Sequence, residues 1–342
     1  MPSPRRLLAV LLLLLAACGR APDVVIYCAL DEEYAAPVLR AFEQETGLHV
    51  QAYYDVEANK SVGLRRRLQQ EASRPICDVY WNNEVVQTVV LARGGLLQPY
   101  RSPASQGIGD RWRDQRDLWC GFAARGRVLI VNTDLRGKDT DRPEGLADFL
   151  DPANAGQCGI AEPLTGTTAA HAAAWIEKLG LPATLERFAA MRANRVEFAP
   201  GNAHVMRLVR EGQLHFGWTD TDDYYVAKED GYPVAVVYPD QTGKDGAPPL
   251  GTLVIPNSIA LLADAPHPDA GKRFIDWVLS TKVEAELAAS RTMQIPVRAS
   301  VPRPAHVPTF GEGGLKAMQV DFRAVGAQLP ERQQHLKELF VD

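Results

Sequence analysis

The sequence predicts a two-lobe α/β protein. Two observations carry this: apolar strand-like runs alternate with helical spacing in two separate series, and two further apolar runs are too long for one ordinary strand.

The first series opens at "DVVIYCALDEEYAAPVLRAFEQETGLHVQAYY". A continuous apolar run leads to a polar turn, then to Tyr34, Val38, Leu39 and Phe42 at helical spacing, closed by Gly47 before a second apolar run. That is a strand–helix–strand unit of a parallel sheet. The pattern continues with "NKSVGLRRRLQQEAS" as a helix, "CDVYW" as a buried strand and "NEVVQTVVLARGGLL" as a helix ending at Gly94-Gly95. The run "LWCGFAARGRVLIVNT" then crosses from one lobe to the other. The second series holds the strand "QCGIAEP", the helices "TTAAHAAAWIEKLG" and "AHVMRLVREG", and the strands "LHFGW" and "PVAVVYPD". The second long run, "GTLVIPNSIALLADAP" with Pro256 inside it, leads back to the first lobe and its helices "PDAGKRFIDWVLST" and "KVEAELAAS". "VPRPAHVPT" reads as a surface crossing, and the tail as a helical pair.

The N-terminus carries Arg5 and Arg6, an apolar stretch Leu7–Leu15 and small residues before Cys18, the layout of a secretory signal peptide. Leu15-Ala16-Ala17-Cys18 resembles a bacterial lipobox, which makes Cys18 the expected lipidated residue of an exported, membrane-anchored chain. The expected division is a signal peptide (1–17), a lipidated N-terminus and linker (18–23), a first lobe (24–123 with 257–300), a second lobe (124–256) and a C-terminal helical segment packing across both (301–342). Of 37 basic residues two belong to the signal, so 35 face 42 acidic ones and the net charge is near −7. An acidic chain in which no Lys/Arg block suggests a phosphate-backbone partner argues against nucleic acid. Cys28, Cys77, Cys120 and Cys158 sit in or beside apolar runs and read as small buried hydrophobes. Two bridges are the alternative for an exported chain.

The stretches "VVIYCALDEEYAAPVLRAFEQETGLHV", "CDVYWNNEVVQTVVLARGGLLQPY", "FAARGRVLIVNTDL", "GIAEPLTGTTAAHAAAW", "FGWTDTDDYYVA" and "APHPDAGKRFIDWVLS" together resemble bacterial extracellular solute-binding proteins, from Val24 to Arg298 and in the same order. These are the substrate-capturing components of ABC importers, and the resemblance is to the ferric-iron-binding, transferrin-like branch. It implies the type II periplasmic-binding-protein fold, with an interlobe ligand cleft at a two-strand hinge. It also implies a permease and ATPase as partners, and Fe(III) with a carbonate or phosphate anion as cargo. The branch includes proteins for phosphorylated or phosphonate solutes, so an anionic organic solute is the alternative ligand.

Ligands of parallel α/β sheets bind where strand tips feed helix N-termini. Four such places stand out. Asp31 follows the opening strand, either as a cleft residue or as helix-terminal charge. Trp81, Asn83 and Glu84 make a rim after "CDVYW", and in a gap-free comparison the ferric branch's glutamate ligand falls on Asn83. Thr165, Gly166, Thr167 and Thr168 open an Ala-rich helix whose N–H groups suit an anion. Asp220, Thr221, Asp222 and Asp223 close "LHFGWTD" and open the next helix, as ligands or as caps. Tyr224 and Tyr225 are the expected metal ligands by comparison with the ferric branch's Tyr-Tyr pair, which a gap-free count places on Asp222-Asp223. Arg125 and Arg127 share one strand face, Asn202 either caps its helix or reaches the ligand, and His171 reads as packed. No Gly-x-Ser-x-Gly elbow or His-Glu-x-x-His is present, and an exported enzyme on the same fold is the third reading.

Overall fold

Strand β1 (Val24–Cys28) is buried at every position, as a central strand covered on both faces requires. It pairs in parallel with β2 (Val50–Tyr54) and β3 (Val79–Asn82). Helix α1 (Glu32–Thr46) links β1 to β2 and turns Ala35, Leu39 and Phe42 inward. Helices α2 (Val62–Gln70) and α3 (Val86–Arg93) flank β3 in the chain. The computed structural model describes residues 21–54, 62–242, 249–309 and 314–340; the expected signal peptide and Cys18 lie outside them.

Strand β4 (Cys120–Asn132) is the long crossing element. Its first half, Cys120–Gly126, pairs antiparallel with β9 (Val254–Leu261), which in turn pairs with β3. Its second half, Arg127–Asn132, pairs with β7 (Phe216–Asp220) and β8 (Val234–Val237). One strand therefore belongs to both sheets, with a register shift between Phe122 and Ala124 where Ala123 takes φ 37°. The second sheet continues from β7 to β5 (Cys158–Ala161) and β6 (Glu197–Ala199), all parallel. The full order is β2-β1-β3-β9-β4-β7-β5-β6, with β8 on β4.

The second sheet carries α4 (Gly166–Leu179), α5 (Leu181–Ala193), α6 (Asn202–Arg210) and α7 (Thr221–Glu229). Helices α8 (Pro268–Val278) and α9 (Thr281–Ala289) return to the first, where Phe274 meets Phe42 edge to face at 5.0 Å. Two aromatic centres mark the two cores: Trp81 with Phe122 and Phe274, and Trp218 with Phe149 and Trp175.

The tail corrects one expectation. It is a single helix, α10 (Phe322–Phe340), rather than a pair. Phe322, Val325, Leu329 and Leu336 are buried along its length, so continuous packing holds it in one piece. It lies against α3 on one side and α4, α5 on the other. Gly326 permits the first contact, since a Cβ there would stand 2.6 Å from the Cβ of Val89. Arg332 donates to the Ala173 carbonyl at 2.9 Å on the second. All four described cysteines are free thiols, with Cys28, Cys77 and Cys158 buried. No described helix is long and apolar enough to cross a membrane.

Candidate functional site

Five strand tips and the crossing strand converge on one small cavity. Its wall contains Asp31 after β1, Asn83 after β3, Arg125 on β4, Glu162 and Thr165–Thr168 after β5, Pro200–Ala203 after β6, and Asp220, Asp222 and Asp223 at the end of β7. The Thr-rich turn and the acidic turn thus share one crevice. Its volume is about 80 Å³. At 10–15 Å³ for each water-sized group, that is room for roughly five to eight.

The floor is built on Arg127, fully buried on β4. Its guanidinium donates to Asp220 Oδ1 (2.8 Å), Asn202 Oδ1 (3.0 Å), Thr167 Oγ1 (3.3 Å) and Thr168 Oγ1 (3.1 Å). Those acceptors open three different helices, so one side chain sets the spacing of α4, α6 and α7. A hydroxyl has a single proton to give. Thr167 gives its proton to Asp220 Oδ2 at 2.7 Å, and Thr168 gives its own to Asn202 Oδ1 at 3.1 Å. Both protons are held within the floor, and what α4 offers the cavity is its N-terminal end. Thr165 is the extended N-cap without a side-chain cap bond, and Gly166 starts the helix at φ 59° with nothing within 4 Å of a would-be Cβ. That left-handed entry favours glycine.

The acidic wall is ordered in the same way. Asp220 and Asp223 form a reciprocal capping box on α7. Burial would push the Asp220 carboxyl up, but Arg127 and Arg125 beside it hold it below the usual aspartate range. Arg125 is itself buried; the low-dielectric setting works against its charge, and Asp222 (3.0 Å) and Asp220 (3.6 Å) more than compensate. Its other end donates to the Asn83 carbonyl at 2.5 Å, so Arg125 touches groups from both sheets. Carboxylate oxygens of Asp220, Asp222 and Asp223 all lie within 4.8 Å of one another, a spacing that can hold a metal ion.

Four predicted groups lie elsewhere. Trp81 is a core residue with no exposure, 5.8 Å from the Phe122 ring, because β3 is buried on both faces. Glu84 accepts from the N–H groups of Val86 (2.5 Å) and Gln87 (2.9 Å), so it caps α3 behind the cavity, and burial raises its carboxyl pKa. Thr221 sits behind the wall and accepts from the Gly126 N–H at 3.1 Å. The expected metal ligands are the main correction. Tyr225 donates to the His306 carbonyl at 3.0 Å, and Tyr224 packs with Ile130, Met206 and Val234; neither lines the cavity. The reason is where α7 begins: with Thr221 as its first residue, Asp222 and Asp223 fall in the turn nearest the cleft, whereas Tyr224 and Tyr225 come later along the axis, where the Ile130 cluster and the His306 carbonyl hold them.

His171 is packed as expected, 4.2 Å from Trp175 and 4.9 Å from Trp218, and burial drives its imidazole pKa well below the ordinary range. Glu162 was absent from the sequence-based set. It directly follows β5, the same strand-tip position as Asp31 and Asn83, and that rule alone would have found it.

The chain is 24% identical over 322 residues to iron uptake protein A1 of Synechocystis sp., covering 87% of this chain and 86% of that one. The ferric binding protein from Campylobacter jejuni superposes with a TM-score of 0.80 at 20% identity, over 93% of this chain and 99% of that one. The periplasmic binding protein AfuA from Actinobacillus pleuropneumoniae, with exogenous fructose-6-phosphate bound, gives 0.78 at 22% identity over 93% and 97%. These likenesses show a two-lobe fold, and the cavity is lined by residues from both sheets. Residues 38–310, most of the length, match the family described as bacterial extracellular solute-binding protein, and the chain belongs to that family.

Proposed function

We propose that this protein captures a hard metal cation together with a small anion, ferric iron with carbonate or phosphate, and delivers it to an importer. The observation that carries the reading is the charge of the cavity wall. Five carboxylates (Asp31, Glu162, Asp220, Asp222, Asp223) face one guanidinium on the wall and one beneath it. The N-termini of α1, α4, α6 and α7 each add about half a positive charge, which still leaves the cavity negative. A solute that is only an anion meets net repulsion there; a cation bound on the aspartate side, with an anion at Thr165–Thr168, matches both walls. Carboxylate oxygen suits hard cations. The cavity volume agrees, since it fits an ion and a four- or five-atom anion better than a sugar phosphate. A relative named for iron uptake and a neighbour named for ferric binding support the choice of metal.

Family members are solute-binding proteins rather than enzymes, and those of ABC importers pair with an inner-membrane permease and ATPase. Cys18 would carry the lipid that keeps this one at the membrane surface outside the cytoplasm. Cys18→Ala is expected to move the protein from the membrane to the soluble fraction, and identical fractionation of the two forms removes the anchor from the reading.

The cargo is tested by metal analysis of the purified protein and by titration with ferric citrate. Asp222→Asn and Asp31→Asn should each weaken iron binding at least about tenfold, the loss of one charged partner. Tyr225→Phe should leave affinity unchanged, and the iron complex should lack the visible band of a phenolate ligand. A melting temperature that rises with a hexose phosphate and ignores iron overturns the reading in favour of an anionic organic solute.

A further inference from the structure

A second connection between the lobes lies away from the cavity floor. Arg291 stands on the turn that ends α9, where it borders a groove with Glu33, Tyr34 and Pro37 of α1, in the lobe built on β1. Its side chain reaches the C-terminal end of α7 in the other lobe. There Nε lies 3.1 Å from Glu229 Oε2, and Nη2 pairs with Asp230. Asp230 is also held 3.8 Å from Arg210 on α6. Helices α1 and α7 both present their first turns to the cavity, through Asp31 and through Asp222 and Asp223. The ion pairs therefore tie the turn after α9, in the first lobe, to the far end of α7, about two turns behind the residues that α7 presents to the cargo.

We propose that Arg291 and the Glu229–Asp230 pair form an electrostatic clasp that holds the lobes closed independently of what the cavity contains. One guanidinium serving two carboxylates, one of them already fixed by Arg210, forms a small network rather than an isolated pair. The partners are half exposed, with 43% of the Arg291 side chain and 53% of Glu229 accessible, so ions in solution reach them. The clasp therefore weakens as salt rises. Opening costs the pairs only when the lobes separate, so the clasp acts on the release of cargo more than on its first encounter.

The test uses X-ray scattering of the cargo-free mature chain, with iron release from the ferric-citrate-loaded protein as a second readout. Arg291→Glu turns attraction into repulsion, and Arg291→Lys keeps the charge. In low salt Arg291→Glu should show the larger radius of gyration that the native chain reaches only in high salt, and should release iron about three- to tenfold faster. Arg291→Lys should follow the native chain. Its exposure makes either substitution safe for folding, which circular dichroism checks. Scattering and salt response of Arg291→Glu indistinguishable from the native chain overturn the clasp, as does Arg291→Lys behaving like Arg291→Glu. The scattering arm needs no cargo, so its failure is separate from any failure of the iron reading.

Discussion

His171 lies behind Arg127, which forms the floor of the cavity, and their neighbourhood shapes how the protein answers to acid. His171 Nδ1 lies 3.5 Å from Arg127 Nε, and burial together with that guanidinium keeps the ring neutral in the folded state. In the unfolded chain the ring binds a proton near pH 6.5. The unfolded state therefore takes up protons that the folded state refuses, and stability falls as pH drops through that range. Asp220 adds a second loss at lower pH: its folded pKa is depressed, so its contribution is complete above the ordinary aspartate range and disappears as pH falls through the folded value. His215, beside Arg136, is shifted in the same direction as His171 by burial. Melting temperature between pH 7.5 and 5 should therefore decline, and His171→Leu should flatten much of that slope. An unchanged slope in the variant would show that other groups carry it. Aspartates, threonines and asparagines at strand tips were legible in the sequence because strand ends and helix caps both leave a local signature. The fate of Tyr224 and Tyr225 was not, because it depends on where α7 begins, and capping by the Asp220–Asp223 box fixes that start one residue after the strand.

Among the elements, α4 shows how a helix end becomes part of a site. Thr167 accepts from Arg127 (3.3 Å) and from Asn202 (2.8 Å) while donating to Asp220 (2.7 Å), so its hydroxyl joins three secondary-structure elements. Thr167→Val keeps the shape and removes all three bonds, leaving Asp220 short of a donor inside the protein. The expected cost is about 1–3 kcal/mol of stability, read from urea unfolding. Cargo affinity should fall with it, because the acidic wall and the α4 end then lose their shared anchor. Full stability in the variant would mean that water replaces the hydroxyl without penalty. The alternation of strands and helices was legible for nearly every element, since their apolar periodicities differ. Helix α5 and the three-residue β6 escaped notice. Only Thr184, Phe188 and Met191 of α5 are buried, a sparse pattern, and β6 is too short to show any period. The tail was misread because its burial against α3, α4 and α5 is a tertiary fact with no local mark.

At the scale of the molecule, the two lobes are joined by unlike devices. β4 runs unbroken through both sheets, α10 lies apolar against helices of each, and Arg291 spans them with charge. Leu336 has no exposure on α10, so Leu336→Ala should cost about 2–5 kcal/mol in thermal or urea unfolding. If both lobes rely on that helix, tryptophan fluorescence and circular dichroism should report one shared transition in the variant. Two separated transitions would show that the lobes fold independently of it. The long crossing strand was readable from its length alone, whereas the clasp was not, because Arg291 and Asp230 meet only once the chain has folded.

Cys28, Cys77 and Cys158 are sealed from solvent, and burial raises the thiol pKa of all four described cysteines, with Cys28, Cys120 and Cys158 pushed up to about 12. Almost none of the reactive thiolate then exists near neutrality. Biosynthesis of this chain accordingly asks nothing of an oxidising compartment: a host lacking disulfide-forming enzymes should yield as much native protein as one that has them, and dithiothreitol should leave its melting curve where it was.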